Sequence, residues 1–85
     1  MKIEEIAVLL GERFNCSYPD INGNWMFSFD RGEVIEGVCL AGVVGRGKTM
    51  DIARMDYINQ IKGKTIVFHA MTDHRKEITI PETVY

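Results

Sequence analysis

The chain of 85 residues is long enough for one domain with a modest core and too short for two, so we expect a single small α/β domain over residues 1–85. Hydrophobic residues make up 46% of the chain and charged residues 26%, the balance of a folded globular protein. Ten basic and twelve acidic residues give a formal net charge of −2, which leaves no basic field for a phosphate backbone and disfavours generic nucleic-acid binding.

No apolar run approaches membrane-spanning length, and acidic side chains interrupt the apolar pattern at the N-terminus. We therefore expect a cytoplasmic protein without membrane contact. Cys16 and Cys39 are too far apart in the sequence to form a Cys-x-x-Cys motif, and both lie among apolar or turn residues. They are predicted to be reduced thiols that behave as small buried hydrophobes.

The first predicted element is an amphipathic helix. Its apolar residues recur at spacings of three and four and form one stripe: Ile3, Ile6, Ala7, Leu10 and Phe14. Residues 15–23 are dense in turn formers, among them Pro19 and Gly23, and are predicted to be a loop.

From residue 24 the apolar period changes to two, which is typical of a strand with one buried face. Trp25, Phe27 and Phe29 point to one side, and Met26 and Ser28 to the other. A tight connection at residues 30–32 then predicts that residues 34–44 form a second strand paired back on the first.

Residues 49–61 are predicted to form a second helix, with Ala53, Tyr57 and Ile61 on its apolar stripe and Gly63 just beyond its end. Two short strands follow at residues 64–70 and 77–80. The order helix, β-hairpin, helix, two strands predicts an α+β fold, with an antiparallel or mixed sheet of about four strands and both helices on one face.

One segment matches a catalytic motif letter for letter. Residues 42–49 fit the phosphate-loop pattern G-x-x-x-x-G-K-[ST] between a predicted strand and a predicted helix. In that interpretation Lys48 reaches the terminal phosphates and Thr49 binds a magnesium ion. The chain has room for about one crossover unit of ~30 residues, however, and neither later strand ends in an acid that could hold the metal. We therefore do not expect a nucleotide hydrolase.

The same letters also describe a joint between a strand and a helix. Gly45 and Gly47 supply the turn, Thr49 caps the helix, and Ala53 is small because the helix lies close to the sheet. A third interpretation keeps anion binding without hydrolysis, through Gly45, Gly47, Lys48 and Thr49.

Other candidate sites are weaker. His69, Asp73 and His74 are considered as a metal or acid–base cluster, but His69 belongs to a predicted strand and the other two to a polar turn. We expect no metal, no cofactor and no catalytic residue. Trp25, Phe27 and Phe29 resemble a stacking platform for single-stranded nucleic acid, although core packing under a helix explains them better, since their strand is not basic.

A protein partner is the expected ligand, and four residues are candidate contacts with it: Tyr18, Met26, Arg46 and Tyr85. If the helices cover only one sheet face, the opposite face, with Met26, Ser28, Cys39 and Ala41, is a candidate interface with a partner or with a second copy in a homodimer.

The run of Gly45, Gly47, Thr49 and Ala53, placed after the aromatic strand, resembles the HicB antitoxin domain, in which a hairpin leads through a G-x-T turn into a helix with an early alanine. A group of small uncharacterised phage proteins is similar, with the pattern found here at residues 61–64 followed by a strand. The likeness covers about residues 24–70.

The resemblance implies a small phage or mobile-element accessory protein, which is expected in the host cell cytoplasm if a phage encodes it. Such a protein is expected to inhibit a host factor by binding it, as an anti-CRISPR protein or another anti-defence protein does. The first alternative is a HicB-like antitoxin or regulator that neutralises a small toxin. The second is sequestration of a small anion or nucleotide at the Gly-rich turn.

Overall fold

The computed structural model describes residues 1–17 and 20–85. In chain order, these residues form two helices and seven strands: α1 (Ile3–Leu10), β1 (Phe14–Ser17), β2 (Trp25–Phe29), β3 (Gly32–Glu36), β4 (Cys39–Ala41), β5 (Gly45–Gly47), α2 (Met50–Ile61), β6 (Thr65–Phe68) and β7 (Lys76–Thr79). No helix among them is long and apolar enough to cross a membrane.

The strands form two antiparallel sheets, one of three strands in the order β1-β2-β5 and one of four in the order β4-β3-β6-β7. The predicted α+β class and the antiparallel sheet are confirmed. The predicted hairpin between the aromatic strand and residues 34–44 is wrong, because β2 pairs with β1 and β5 while β3 pairs with β4 and β6. Residues 30 and 31, the latter at a φ of 59°, turn the chain from one sheet into the other.

The first helix is shorter than predicted. It ends at Leu10, where Gly11 adopts a φ of 70° and the N–H of Glu12 donates to the carbonyl of Ala7. Phe14 therefore lies in β1 rather than on the helix, and its ring stacks on Phe29 at a centroid distance of 4.6 Å. The predicted loop over residues 15–23 thus begins with strand residues.

The two sheets and both helices share one core. Its buried members come from α1, α2, three strands and the C-terminal residues: Ile3, Ile6, Ala7, Phe27, Phe29, Val34, Ala53, Tyr57, Ile58, Ile61, Ile66, Phe68, Ile80 and Val84. Phe27 and Phe29 are 5% and 2% exposed, so the predicted core packing of the aromatic strand is confirmed. Both cysteines are exposed, which corrects the prediction that they are buried.

Tyr57 connects α2 to the aromatic strand. The rings of Phe27 and Phe29 meet the Tyr57 ring edge-on, and the Phe29 N–H donates to the Tyr57 hydroxyl at 3.1 Å. Burial raises the pKa of Tyr57 above its usual value. The hydroxyl thus satisfies a backbone donor within the core.

Helix α1 is fastened at its first turn. The Ile3 N–H donates to the Tyr85 carbonyl at 2.8 Å, and the Arg54 guanidinium forms two 2.7 Å hydrogen bonds with the Glu4 carboxylate. The Arg54 hydrogen bonds lower the pKa of Glu4, and the carboxylate raises the pKa of Arg54. One side chain of α2 therefore holds α1 in place.

Candidate functional site

The segment that matches the phosphate loop does not have the backbone course that we predicted for it. Residues 42–44 lie outside the sheet ladders, whereas Gly45–Gly47 forms β5 and pairs with β2. The prediction that residues 42–44 belong to a ladder is therefore wrong, because the paired strand begins three residues later, at Gly45. The strand instead runs through the two glycines, and two residues, Lys48 and Thr49, separate its end from the start of α2.

The two glycines of β5 are required by close packing. A Cβ atom on Gly45 would lie 2.5 Å from the backbone nitrogen of Tyr57 and closer still to the carbonyl of Ala53. A Cβ atom on Gly47 would lie 2.7 Å from the Cβ atom of Ile52. Helix α2 therefore rests directly on the backbone of β5, a contact that only glycine permits.

Several groups that could bind an anion already form hydrogen bonds within the protein. The Arg46 N–H donates to Asp56 Oδ2 at 2.9 Å, and Lys48 Nζ donates to the carbonyl of Asn22 at 3.1 Å. Thr49 Oγ1 accepts the N–H of Ile52 at 3.2 Å, which confirms the predicted helix cap. Hydrogen bonds within the protein thus hold the connection between β5 and α2 in place. Anion binding at Gly45, Gly47, Lys48 and Thr49 stays a prediction.

A shallow groove of about 420 Å³ lies beside this connection, along the exposed side of α2. We call it the α2 groove, and six residues line it: Arg46, Asp51, Ile52, Met55, Asp56 and Asn59. Ile52 is 53% exposed and Met55 46% exposed, so two large apolar side chains face solvent between polar neighbours. Asp51 and Asp56 outnumber Arg46, so the lining of the groove carries a net negative charge.

The wall of the α2 groove is held in place by a network of hydrogen bonds. Gln60 donates to Asp56 Oδ2 at 3.1 Å and to the carbonyl of Val44 at 3.0 Å. Arg46 Nε lies 3.5 Å from Asp20 Oδ2, and the backbone N–H of Asn24 lowers the pKa of Asp20. These contacts position Arg46 and Asp56 before any ligand arrives.

The predicted partner contacts are separated in the structure. Met26 and Arg46 are direct cross-strand partners between β2 and β5, on the same face of the three-stranded sheet. Tyr85 lies at α1, where its carbonyl accepts from Ile3 and Arg54 and its side chain is half exposed. Tyr18 lies outside the described residues. These four residues therefore stay predictions, of which Met26 and Arg46 are brought together.

The predicted second sheet face is divided. Met26 and Ser28 belong to the three-stranded sheet, whereas Cys39 and Ala41 belong to the four-stranded one. They therefore do not share one sheet face, because the chain passes from the first sheet into the second at residues 30 and 31. The proposed interface on that face is corrected accordingly.

The sequence did not indicate a cluster around Glu12, whose side chain is 7% exposed. His69 Nε2 lies 3.1 Å from Glu12 Oε1, and Lys76 Nζ lies 2.7 Å from Glu12 Oε2. Because these residues are far apart in the chain, no spacing pattern could reveal them. In the described part of the chain, no three His, Cys, Asp or Glu residues are grouped so as to hold a metal ion.

Helix α1 also leaves apolar side chains in solvent. Val8 and Leu9 are largely exposed and, together with Glu4 and Glu5, line a second shallow depression. Both residues lie outside the apolar stripe of the helix, so the spacing of the apolar residues did not indicate a role for them. This depression is separate from the α2 groove in its lining residues.

Comparison of the chain with protein-family models, curated proteins and solved structures gives no match.

Proposed function

We propose that this protein is a non-enzymatic protein-binding module and that it binds its partner through the α2 groove. One observation carries the proposal: Ile52 and Met55 are about half exposed on a helix whose groove wall is held by side-chain hydrogen bonds. Exposed apolar side chains rimmed by polar ones are the usual composition of a protein-binding surface.

The composition of the α2 groove also describes its partner. Ile52 and Met55 offer contact to an apolar anchor, and methionine adapts its shape to different anchors. The carboxylates of Asp51 and Asp56 favour a partner surface that carries Lys or Arg beside that anchor. Because Arg46 and Asp56 are already positioned, binding costs little ordering of the groove wall.

The biological class follows from the resemblance to small phage proteins. We propose a phage or mobile-element accessory protein that inhibits a host factor, of the anti-CRISPR type or another anti-defence type. A HicB-like antitoxin is the second candidate. It is supported by the course of residues 45–53, in which a strand leads through a Thr49 cap into a helix with a buried Ala53. A toxin gene next to this one would favour the antitoxin, and neighbouring anti-defence genes the inhibitor.

Site-specific photocrosslinking tests the groove directly. A benzophenone amino acid at Met55 should give one discrete crosslinked product in cells of the natural host, identified by mass spectrometry. Met71 is the matched control, because it is also an exposed methionine but does not line the groove. The same product from both positions, or none from Met55, would contradict the proposal.

Binding to the identified partner gives the quantitative test. Met55→Asp should weaken binding by at least about tenfold, since it places a charge where an apolar contact forms. Met71→Asp should change affinity by less than about twofold. Circular dichroism checks that both variants remain folded. Nucleotide turnover by the purified protein, abolished by Lys48→Ala, would overturn the non-enzymatic assignment.

A further inference from the structure

The four sheet edges formed by the described residues differ in how they are protected from pairing with another strand. The outer edge of β5 is occupied by side chains of α2. Asp56 accepts from the Arg46 N–H, and Gln60 donates to the carbonyl of Val44 just before the strand. Because those backbone groups already have partners, this edge cannot accept another strand without losing them.

Two further edges carry other protective features. Strand β7 begins with the charged Lys76 and Glu77, and Pro81 follows it closely. Charged residues and proline on an edge strand discourage pairing between molecules. Strand β4 has three residues only, and a ladder on so short a strand adds few hydrogen bonds.

Strand β1 shares one of these features, because Pro19 follows it in the sequence as closely as Pro81 follows β7. Its four residues, Phe14–Ser17, are nevertheless uncharged, and the last three are exposed. It is the terminal strand of its sheet, and in residues 1–17 and 20–85 no other strand pairs with its outer edge. An exposed, uncharged edge of this kind is a template for pairing with another chain.

We propose that β1 is a self-association edge, where it pairs antiparallel with β1 of a second copy and joins the two three-stranded sheets into one of six strands. A two-fold axis makes the paired strands antiparallel, which continues the pattern of β1 and β2. Self-pairing opposes only Phe, Asn, Cys and Ser, so no like charges meet. This inference is independent of the α2 groove.

Backbone alternation identifies the groups that face the second copy. The Asp30 N–H donates to the Arg13 carbonyl at 2.8 Å, which marks residues 13 and 30 as a hydrogen-bonded pair just before the ladder. In an antiparallel ladder such pairs alternate with non-bonded pairs. The backbone groups of Asn15 and Ser17 therefore face β2, and those of Cys16 face outward.

This alternation permits a substitution that removes only the outward donor. Cys16→Pro deletes the N–H that faces the second copy while leaving the hydrogen bonds to β2, and proline is tolerated on edge strands. Cys16→Ser is the matched control, because it changes the same side chain but keeps the N–H. A four-residue ladder buries little area, so we expect a weak dimer that forms with rising concentration.

Analytical ultracentrifugation across micromolar to millimolar concentrations provides the test. The unaltered protein and Cys16→Ser should dimerise alike, and Cys16→Pro should raise the dimer dissociation constant by at least about tenfold, because two intermolecular hydrogen bonds are lost. A monomer at every concentration, or equal dimerisation of Cys16→Pro, would overturn the proposal.

A second measurement does not depend on the folding of the proline variant. In Cys39→Ser, the remaining Cys16 thiol should form a disulfide-linked dimer on mild oxidation, since the two Cys16 residues lie near the two-fold axis. In Cys16→Ser, the exposed Cys39 should form such a dimer at least about tenfold more slowly, because it lies on a different strand. Equal rates for the two variants would show random collision and contradict the assignment of β1.

Discussion

Gly45 has no room for a side chain, because the backbone of α2 occupies the space in which its Cβ atom would lie. An added Cβ atom would lie 2.5 Å from the Tyr57 nitrogen and would also meet the Ala53 carbonyl. Both obstacles are backbone atoms of α2, so neither can rotate away as a side chain could. Helix packing thus requires glycine at position 45, as it does at Gly47, the second glycine of the phosphate-loop pattern.

Gly45→Ala should accordingly lower the free energy of unfolding by at least about 2 kcal/mol, since α2 must move off β5 to admit one methyl group. Gly42→Ala is the matched control, because a Cβ atom there meets nothing within 4 Å. It should change stability by less than about 1 kcal/mol, in the stabilising direction. Urea denaturation of both variants measures the difference, and equal effects would contradict the packing explanation.

At the scale of single elements, the Glu4–Arg54 pair links α1 to α2 at the protein surface. The Arg54 hydrogen bonds lower the pKa of Glu4 below its ordinary value of 4.5. A carboxylate with a lowered pKa stabilises the folded state at pH values above its unfolded pKa, and that contribution is lost as the pH falls through the folded pKa. The pair therefore contributes at neutral pH and fades below about pH 4.5.

Glu4→Gln should lower stability by less than about 1 kcal/mol at pH 7, because the Glu4 side chain is half exposed and solvent screens the pair. The difference from the unaltered protein should vanish at low pH, as measured by thermal unfolding between pH 3 and pH 7. Glu77→Gln, which removes a carboxylate from the exposed pair with Arg75, is the control for loss of a surface charge. A Glu4→Gln difference that persists at pH 3 would show that the pair is not its cause.

Elements with a clear apolar period were predictable from the sequence, but the strands that pair with them were not. The stripe with Ala53, Tyr57 and Ile61 and the cap at Thr49 identified α2 almost to the residue. The alternation of β2 identified its buried face, but a period of two does not say which strand lies alongside. Strand β1 was missed because three of its four residues are exposed and show no alternation.

Only part of the candidate site was predictable from the sequence. Arg46 was selected from the sequence and lines the α2 groove, whereas Ile52, Met55 and Asp56 were not selected. Exposed residues on a helix look alike in sequence, since only tertiary packing decides which of them border a depression. The contact of Arg46 with Asp56 depends on α2 lying on β5, which no local pattern specifies.

At the scale of the whole molecule, the C-terminal residues connect the first helix to the shared core. Val84 is 6% exposed and belongs to the core that contains Ile3 and Ile80. Tyr85 exchanges backbone hydrogen bonds with Met1 and Ile3, so the two ends of the chain are held together. Since both sheets contribute to that core, we expect them to unfold as one cooperative unit.

Val84→Ala tests this cooperativity. Loss of two buried methyl groups should lower the free energy of unfolding by about 2 kcal/mol, through lost burial and the cavity left behind. Val38→Ala is the matched control, because Val38 is fully exposed and its truncation should cost less than about 0.5 kcal/mol. Fluorescence of Trp25 reports on the three-stranded sheet and far-UV circular dichroism on all elements.

Both signals should shift to the same lower unfolding midpoint in Val84→Ala. Val84 does not belong to the sheet that contains Trp25, so a shift in the fluorescence midpoint would show that the core couples the two regions. Separate midpoints would show that the two sheets unfold independently and that the core is not one unit.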